Sequence, residues 1–154
     1  MEITTKTGFQ LIGLKLDKKT TNEGGQSNID CGNLWQQFEQ GHFIEEIPNK
    51  LSNEIYAVYY AYEGDHTKPF AYFIGCKVAP DTVAPDGLEK LIIPEDQYLK
   101  VIAAGKMPHC IANAWKKIWS SETERAYNYD FEVYDERSND WDNAIVEVFI
   151  SAKQ

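Results

Sequence analysis

Two segments of the chain carry apolar residues at the spacing of a helix that packs on one side. In the first segment, Cys31, Leu34, Trp35 and Phe38 recur at i, i+3, i+4 and i+7, so these side chains lie on one face of a helix. Asp30 stands directly before them, and aspartate is a favoured cap of a helix N-terminus. The pattern therefore predicts an amphipathic helix in the first half of the chain that begins at Asp30.

The second segment repeats this apolar stripe in the second half of the chain. Pro108 stands near its first turn, where the missing N–H of a proline is not needed for a helical hydrogen bond. A constant offset between two such stripes indicates an internal duplication. The same offset separates every equivalent pair: Ile111, Ala114, Trp115 and Ile118 match Cys31, Leu34, Trp35 and Phe38.

Each helical segment stands within a similar succession of strand-like segments. Apolar and aromatic runs before and after each helix predict strands, and polar, turn-rich loops join the two later strands into a hairpin. The dipeptides Val58-Tyr59 and Val133-Tyr134 mark the repeat in the hairpins. The predicted strands are 9–16, 54–62 and 70–76 in the first half and 98–103, 129–134 and 144–150 in the second, with a short additional strand at 91–93.

These elements predict an α+β fold built from two copies of a strand-helix-strand-strand module. One helix per module covers only one face of a sheet, and hairpins with short turns make the sheet mainly antiparallel. Joined about a pseudo-twofold axis, the two modules can enclose a ligand groove between the halves. We predict a single domain over residues 1–154, with module one at about 1–79, a linker at about 80–90 and module two at about 91–154.

Composition and charge narrow the class of partner. The 154 residues include 15 Lys and Arg against 24 Asp and Glu, which gives a net charge of −9 and a field that repels nucleic acid and anionic lipid. The three cysteines are widely spaced, which favours reduced thiols in a cytoplasmic protein over disulfides or a metal site. The N-terminal residues lack an export or membrane-insertion pattern. We expect no membrane association, no cofactor and no metal.

One carboxylate stands among apolar neighbours on a predicted strand. Because side chains alternate along a strand, Ile145, Glu147 and Phe149 share one face. A solvated face would leave two large apolar side chains exposed, so this face suits a partly apolar groove in which Glu147 meets an organic cation. The alternative is an ordinary solvated face on which Glu147 pairs with a neighbouring Lys, Arg or Tyr.

Aromatic side chains are dense on the predicted hairpins and supply candidate walls for such a groove. Tyrosine combines a flat apolar ring with a polar tip, which suits a small-molecule pocket. We expect most aromatic residues of the helix stripes to be packing groups and include one of them, Trp115, as a candidate. The predicted ligand-binding set is Glu147, Tyr59, Tyr134, Phe149, Phe73 and Trp115.

The last hairpin has the sequence Asp-Phe-Glu-Val-Tyr at residues 130–134, followed by the strand at 144–150. This pattern resembles that of the GyrI-like family, the effector-binding domains also attached to AraC- and MerR-type transcription regulators. The first half, with the segments 55–59, 63–67 and 73–78, resembles the free-standing branch of that family, as do Ile93-Pro94 with Tyr98 and the segment 115–119. The resemblance implies a duplicated module with a ligand groove between its halves, and a glutamate, matching Glu147, that meets cationic and often aromatic ligands.

Three hypotheses for function follow. The first, from the resemblance, is a free-standing protein that binds a small organic ligand, cationic or neutral aromatic. No helix-turn-helix segment fits before Phe9, so we expect no direct contact with DNA, while a protein partner or a homodimer stays open. The second, implied by hydrolases in the same family, is a small-molecule hydrolase with Glu147 as general base, alone or paired with Glu132. The third is an acidic inhibitor whose loops at 63–65 and 135–142 occupy a basic protein surface.

Overall fold

The structure, a computed structural model, describes residues 3–153 as eight strands, three helices and two short 3-10 turns. The strands are β1 (Ile3–Lys6), β2 (Phe9–Lys15), β3 (Ile55–Tyr60), β4 (Ala71–Val78), β5 (Glu89–Ile93), β6 (Asp96–Gly105), β7 (Asp130–Tyr134) and β8 (Ala144–Ser151). The helices are α1 (Gln26–Gln40), α2 (Phe43–Glu46) and α3 (His109–Ser120), and the 3-10 turns are Glu23–Gly25 and Glu136–Ser138.

All eight strands form one sheet in the order β1-β6-β8-β7-β3-β4-β2-β5, and every neighbouring pair is antiparallel. The first module consists of β2, α1, β3 and β4, and the second consists of β6, α3, β7 and β8. The two modules meet where β3 pairs with β7, and β1 and β5 extend the two edges. This arrangement confirms the predicted α+β fold of two strand-helix-strand-strand modules.

The pseudo-twofold axis of the duplication passes through the pair of β3 and β7. Along this pair Ala57 is the register partner of Glu132, and Tyr59 is the partner of Asp130. The offset between the two Val-Tyr dipeptides makes Ala57 equivalent to Glu132 and Tyr59 equivalent to Tyr134, so the axis relates the Ala57–Glu132 pair to itself. At this point the two modules differ by one side chain, a methyl group in the first and a carboxylate in the second.

The two faces of the sheet carry different cores. On one face, called the helix face below, α1 and α3 cover apolar side chains that include Ala57 and Ile74 in the first module and Val146 and Val148 in the second. The opposite face, called the aromatic face, holds a buried cluster of mostly aromatic rings. Its members are Phe9, Leu11, Tyr56, Val58, Phe73, Ile93, Tyr98, Phe131, Val133 and Phe149. Neighbouring residues of β7 and β8 therefore point into different cores.

The start of α1 differs from the prediction. The helix begins at Gln26, directly after Gly25, whose backbone is left-handed (φ 73°). Asp30 lies inside the helix, where its carboxylate accepts hydrogen bonds from Thr20 Oγ1 (2.7 Å) and Gln26 Nε2 (3.0 Å). The predicted N-cap at Asp30 is therefore wrong, because the helix begins four residues earlier and the Asp30 carboxylate accepts from two side chains rather than from free backbone N–H groups.

Strand boundaries shift where neighbouring strands extend the pairing. β6 spans Asp96–Gly105 rather than 98–103, because β1 and β8 pair along its length. β5 begins at Glu89 and pairs with β2, so this strand extends the edge beside the first module. In the part of the chain that the structure describes, no helix is both long and apolar enough to cross a bilayer.

Candidate ligand-binding site

A buried glutamate stands at the centre of the helix face. Glu132 on β7 is 1% exposed, and both of its carboxylate oxygens accept hydrogen bonds. Oε2 accepts from the Tyr59 hydroxyl (2.8 Å) and from the Trp115 indole N–H (2.6 Å), and Oε1 accepts from the Tyr134 hydroxyl (2.5 Å). Within residues 3–153 no lysine, arginine or histidine forms an ion pair with this carboxylate. Its partners are therefore three neutral aromatic donors.

The environment of Glu132 opposes its negative charge. Burial raises the pKa of this carboxyl above its ordinary value of 4.5, and the hydrogen bonds from Tyr134, Trp115 and Tyr59 offset the rise only in part. Removing a carboxylate from water is unfavourable unless hydrogen bonds or an opposite charge replace its hydration. The site supplies the hydrogen bonds and lacks the opposite charge, so a cation placed here would favour the ionised form.

The duplication of the fold explains how three donors converge on one carboxylate. Tyr59 and Tyr134 occupy equivalent positions on either side of the pseudo-twofold axis, and both hydroxyls reach Glu132. Trp35 and Trp115 are likewise equivalent, on α1 and α3. The Trp35 indole N–H donates to the Tyr72 hydroxyl (2.8 Å) instead of a carboxylate. A symmetric aromatic frame thus surrounds a single acidic side chain.

Aromatic rings enclose this carboxylate. The centroid of Tyr59 lies 4.9 Å from that of Trp115 and 5.0 Å from that of Tyr72, in tilted edge-to-face contacts. On the α1 side, the ring of Trp35 lies 4.9 Å from that of Tyr134. Ring faces attract cations through their quadrupole, most strongly for tryptophan. Acidic and aromatic groups are therefore combined here in the way that organic cations require.

A buried ion pair lies next to Glu132 on the same strand face. Asp130 is fully buried and accepts from Arg125 Nη2 (2.7 Å), from the Tyr62 hydroxyl and from Ser151. The Arg125 guanidinium lies 4.3 Å from the ring centroid of Tyr127 and 5.7 Å from that of Trp115. This end of the helix face already holds an internal cation between aromatic rings, whereas the Glu132 end does not.

Glu147 points to the opposite side of the sheet. Its side chain is 20% exposed, and its carboxylate forms an ion pair with Lys100 Nζ (2.7 Å), with Arg137 Nη2 at 3.6 Å. This is the arrangement of the alternative interpretation, a strand glutamate paired with a neighbouring basic group. Because Glu132 lies on the helix face, the two carboxylates do not line one groove as an acid and base pair.

The structure separates the six predicted ligand-binding residues into two groups. Tyr59, Tyr134 and Trp115 meet at Glu132 on the helix face. Phe73 and Phe149 are buried in the aromatic face, on the same side of the sheet as Glu147. From the sequence, Glu132 was expected only as a possible acid or base partner of Glu147 in a hydrolase. The signal that could have identified it is the duplication of the hairpins, which places Glu132 opposite Ala57 and between two equivalent tyrosines.

The carboxylate of Glu132 is closed off from solvent. Trp115, which is 7% exposed, covers it from α3. Glu132 does not line either of two surface grooves, one of about 230 Å³ and one of about 620 Å³. A ligand that reaches this carboxylate must therefore displace at least one of its aromatic donors.

The thiols offer no competing reactive site. Burial raises the pKa of Cys76 to about 11, and burial also raises the pKa values of Cys31 and Cys110, so these groups stay protonated at neutral pH. Among residues 3–153, no three His, Cys, Asp or Glu side chains are grouped in a way that could hold a metal ion. The chemistry of the helix face is that of Glu132 and its aromatic neighbours.

Solved structures share this fold over almost the whole chain. VCH_CASS2, an integron cassette protein from the mobile metagenome of Vibrio cholerae, gives a TM-score of 0.75 at 27% identity and covers 99% of this chain and 95% of that chain. SAV2435, solved bound to tetraphenylphosphonium, gives a TM-score of 0.78 at 16% identity and covers 99% of this chain and 93% of that chain.

Sequence relatives agree with the structural ones. The YobU protein of Bacillus subtilis (strain 168), named as a candidate transcriptional regulator, is 24% identical over 124 residues, which cover 79% of this chain and 76% of YobU. The sequence pattern of Cass2, the integron-associated effector binding protein, matches residues 2–151. This chain therefore belongs to the Cass2 family of integron-associated effector-binding proteins, and its general role is to bind a small molecule.

Proposed function

We propose that the protein binds a small organic cation on the helix face, with Glu132 as the counter-charge. The observation on which this rests is a fully buried carboxylate that has three neutral aromatic donors and no basic partner among the described residues. Glu147 already has Lys100 as its partner, so the counter-charge that the sequence suggested for Glu147 is better supplied by Glu132. The aromatic groups of the site would be Tyr59, Tyr134 and Trp115.

Three considerations support a cationic ligand over a neutral one. A neutral aromatic molecule would fill space between the rings but leave the buried charge of Glu132 without compensation, whereas a cation offsets it. SAV2435, which shares the fold, was solved with an organic cation, tetraphenylphosphonium. The net charge of −9 attracts cations over a long range and supports a role without direct DNA contact.

Of the three donors we expect a ligand to displace Trp115, because its indole N–H is bonded to the carboxylate and it comes from α3 rather than from the sheet. We expect the intrinsic tryptophan fluorescence to change when tetraphenylphosphonium is added, and most of this change to disappear in Trp115→Phe. Trp141→Phe is the matched control, since Trp141 is 61% exposed in a surface loop. An unchanged response in Trp115→Phe would contradict displacement of this side chain.

The affinity for a cation should depend on pH through Glu132. Its raised pKa means that protonation of Glu132 favours the folded state below the ordinary value of 4.5 and that this contribution is lost as pH rises through the raised pKa. A cation prefers the ionised form, so binding releases a proton below the raised pKa. We expect the affinity for tetraphenylphosphonium to keep rising with pH above 4.5, by up to about tenfold per unit, until Glu132 is ionised.

Isothermal titration calorimetry tests this pH dependence. Titrations at a series of pH values, each in two buffers of different ionisation enthalpy, give both the affinity and the number of protons released. Glu132→Gln should give a flat profile with no proton release. A flat profile in the parent protein as well would show that the ligand does not meet a carboxylate of raised pKa.

A further inference from the structure

A surface groove of about 620 Å³ lies between the two modules and away from Glu132. Three chain segments line it: 60–62 at the end of β3, 94–96 at the start of β6 and 127–129 before β7. We call it the tyrosine groove, because four of these residues are Tyr60, Tyr62, Tyr127 and Tyr129. The groove thus brings together rings from both halves of the duplicated fold.

The tyrosine groove is lined by acidic residues. Its lining includes the exposed Glu95 and the half-buried Asp96, and no lysine, arginine or histidine is among the described residues that line it. Tyr60 from the first module and Tyr129 from the second are stacked, with ring centroids 5.6 Å apart and planes at 13°. Paired tyrosine rings beside carboxylates attract a cation and offer a flat surface to an attached apolar group.

A buried hydroxyl on β6, the strand whose first residue lines the groove, has no hydrogen-bond partner among the described residues. Tyr98 is fully buried, and its hydroxyl is unpaired within the described chain. Tyr98 follows Asp96 by two residues on β6, so both side chains project to the same side of the sheet. Burial and then the charges of Asp96, Asp130 and Tyr129 raise the pKa of Tyr98, so this hydroxyl stays neutral at pH 7. An unpaired buried hydroxyl is unfavourable, and a ligand N–H donated to its oxygen would remove that cost.

Behind the groove, the positive charge of Arg125 does not oppose a cation. The Arg125 guanidinium lies over the ring of Tyr127 and forms its ion pair with Asp130. Its charge is therefore compensated inside the protein. Glu95 and Asp96, which line the groove, form no ion pair among the described residues, and Asp96 accepts hydrogen bonds only from the neutral Gln97 N–H and Asn128 amide. The same Arg125 and Asp130 pair separates the groove from Glu132, since Arg125 also lies 5.7 Å from the ring centroid of Trp115.

We propose that the tyrosine groove is a second binding site, for a small organic cation that carries N–H donors next to a flat apolar group, as in an aryl-alkyl ammonium or an aryl guanidinium. The carboxylates of Glu95 and Asp96 supply the counter-charge, the tyrosine rings hold the apolar group, and the Tyr98 oxygen accepts an N–H. The site is independent of Glu132 and does not depend on the function proposed for it.

Titration with benzylamine, which is protonated at pH 7, tests this site by two-dimensional NMR of the amide groups. We expect saturable shifts at residues 60–62, 95–98 and 127–129 that persist in Glu132→Gln, which distinguishes this site from the one at Glu132. Glu95→Gln/Asp96→Asn should weaken the binding by about fivefold. The matched control is Glu45→Gln/Glu46→Gln, which removes two exposed carboxylates on α2 and should leave the affinity within about twofold.

A second pair of probes tests the hydroxyl. Tyr98→Phe should weaken the binding of benzylamine by about threefold, in line with one lost hydrogen bond. The same substitution should leave the affinity for benzyltrimethylammonium, which has no N–H, unchanged. Benzyl alcohol, the neutral analogue, should bind more weakly than benzylamine. The proposal is overturned if benzylamine shifts no groove amides, if those shifts disappear in Glu132→Gln, or if the Glu95 and Asp96 substitutions have no more effect than the α2 control.

Discussion

Replacing Glu132 by glutamine should remove most of the affinity for tetraphenylphosphonium, on the order of 100-fold or ~3 kcal/mol, because it deletes the counter-charge of a buried cation. Glutamine keeps the shape of the side chain and one accepting oxygen, so the packing of Tyr59, Tyr134 and Trp115 around it is retained. Folding should not suffer, since burial of a neutral amide avoids the desolvation of a charge. Calorimetric titration of the two proteins at neutral pH measures the difference.

The matched control for this substitution is Glu147→Gln. It removes the same charge from the same sheet, but on the aromatic face and from a partly exposed ion pair with Lys100. We expect its affinity for tetraphenylphosphonium to stay within about twofold of the parent protein, since exposed charges are well screened. If Glu147→Gln lost more affinity for tetraphenylphosphonium than Glu132→Gln, the counter-charge would be Glu147 on the aromatic face, as the sequence first indicated.

Replacing Arg125 by alanine should cause the largest loss of stability, about 3–5 kcal/mol in the free energy of unfolding. The substitution leaves Asp130 buried and charged, with the Tyr62 hydroxyl and Ser151 as its remaining donors. It also removes a guanidinium that packs on the ring of Tyr127. Urea unfolding followed by far-UV circular dichroism measures the loss.

Arg137→Ala is the control for the buried arginine. Arg137 forms an ion pair with Asp135 at the same distance, 2.7 Å, but its side chain is 41% exposed against 4% for Arg125. Exposed pairs contribute little because solvent screens them, so Arg137→Ala should have a small effect. The double substitution Arg125→Met/Asp130→Leu should recover part of the loss, because neither charge is then left unpaired. Equal effects of the two single alanine substitutions would contradict the role of the buried pair.

The fold was predictable because the duplication is evident in the local sequence pattern of each half. The equivalent apolar stripes of the two helices and the repeated Val-Tyr dipeptide of the hairpins define the two modules without any knowledge of tertiary contacts. The start of α1 was missed because Asp30, a good capping residue, instead accepts a hydrogen bond from Thr20 in the preceding loop. Whether Asp30 caps a helix or binds Thr20 depends on the position of the preceding loop, which the local sequence pattern does not give.

The site was only partly predictable for a related reason. Tyr59, Tyr134 and Trp115 were in the predicted set, but the sequence analysis grouped them with Glu147, which lies on the other face of the sheet. Glu132 alternates with Asp130 and Tyr134, a pattern typical of a solvated face, and its burial depends on Trp115 packing down from α3. Glu147 stands between apolar residues, yet its register places it near Lys100 of β6. Cross-strand register and helix packing decide both cases, and neither is visible in the alternation along one strand.

A crystal structure of the complex with tetraphenylarsonium, located by the anomalous scattering of arsenic, would show which carboxylate meets the cation. We expect arsenic on the helix face between α1 and α3, with the Trp115 indole moved away from Glu132 and the carboxylate facing the cation. Arsenic on the aromatic face beside Glu147, with the hydrogen bond from Trp115 to Glu132 intact, would contradict this expectation.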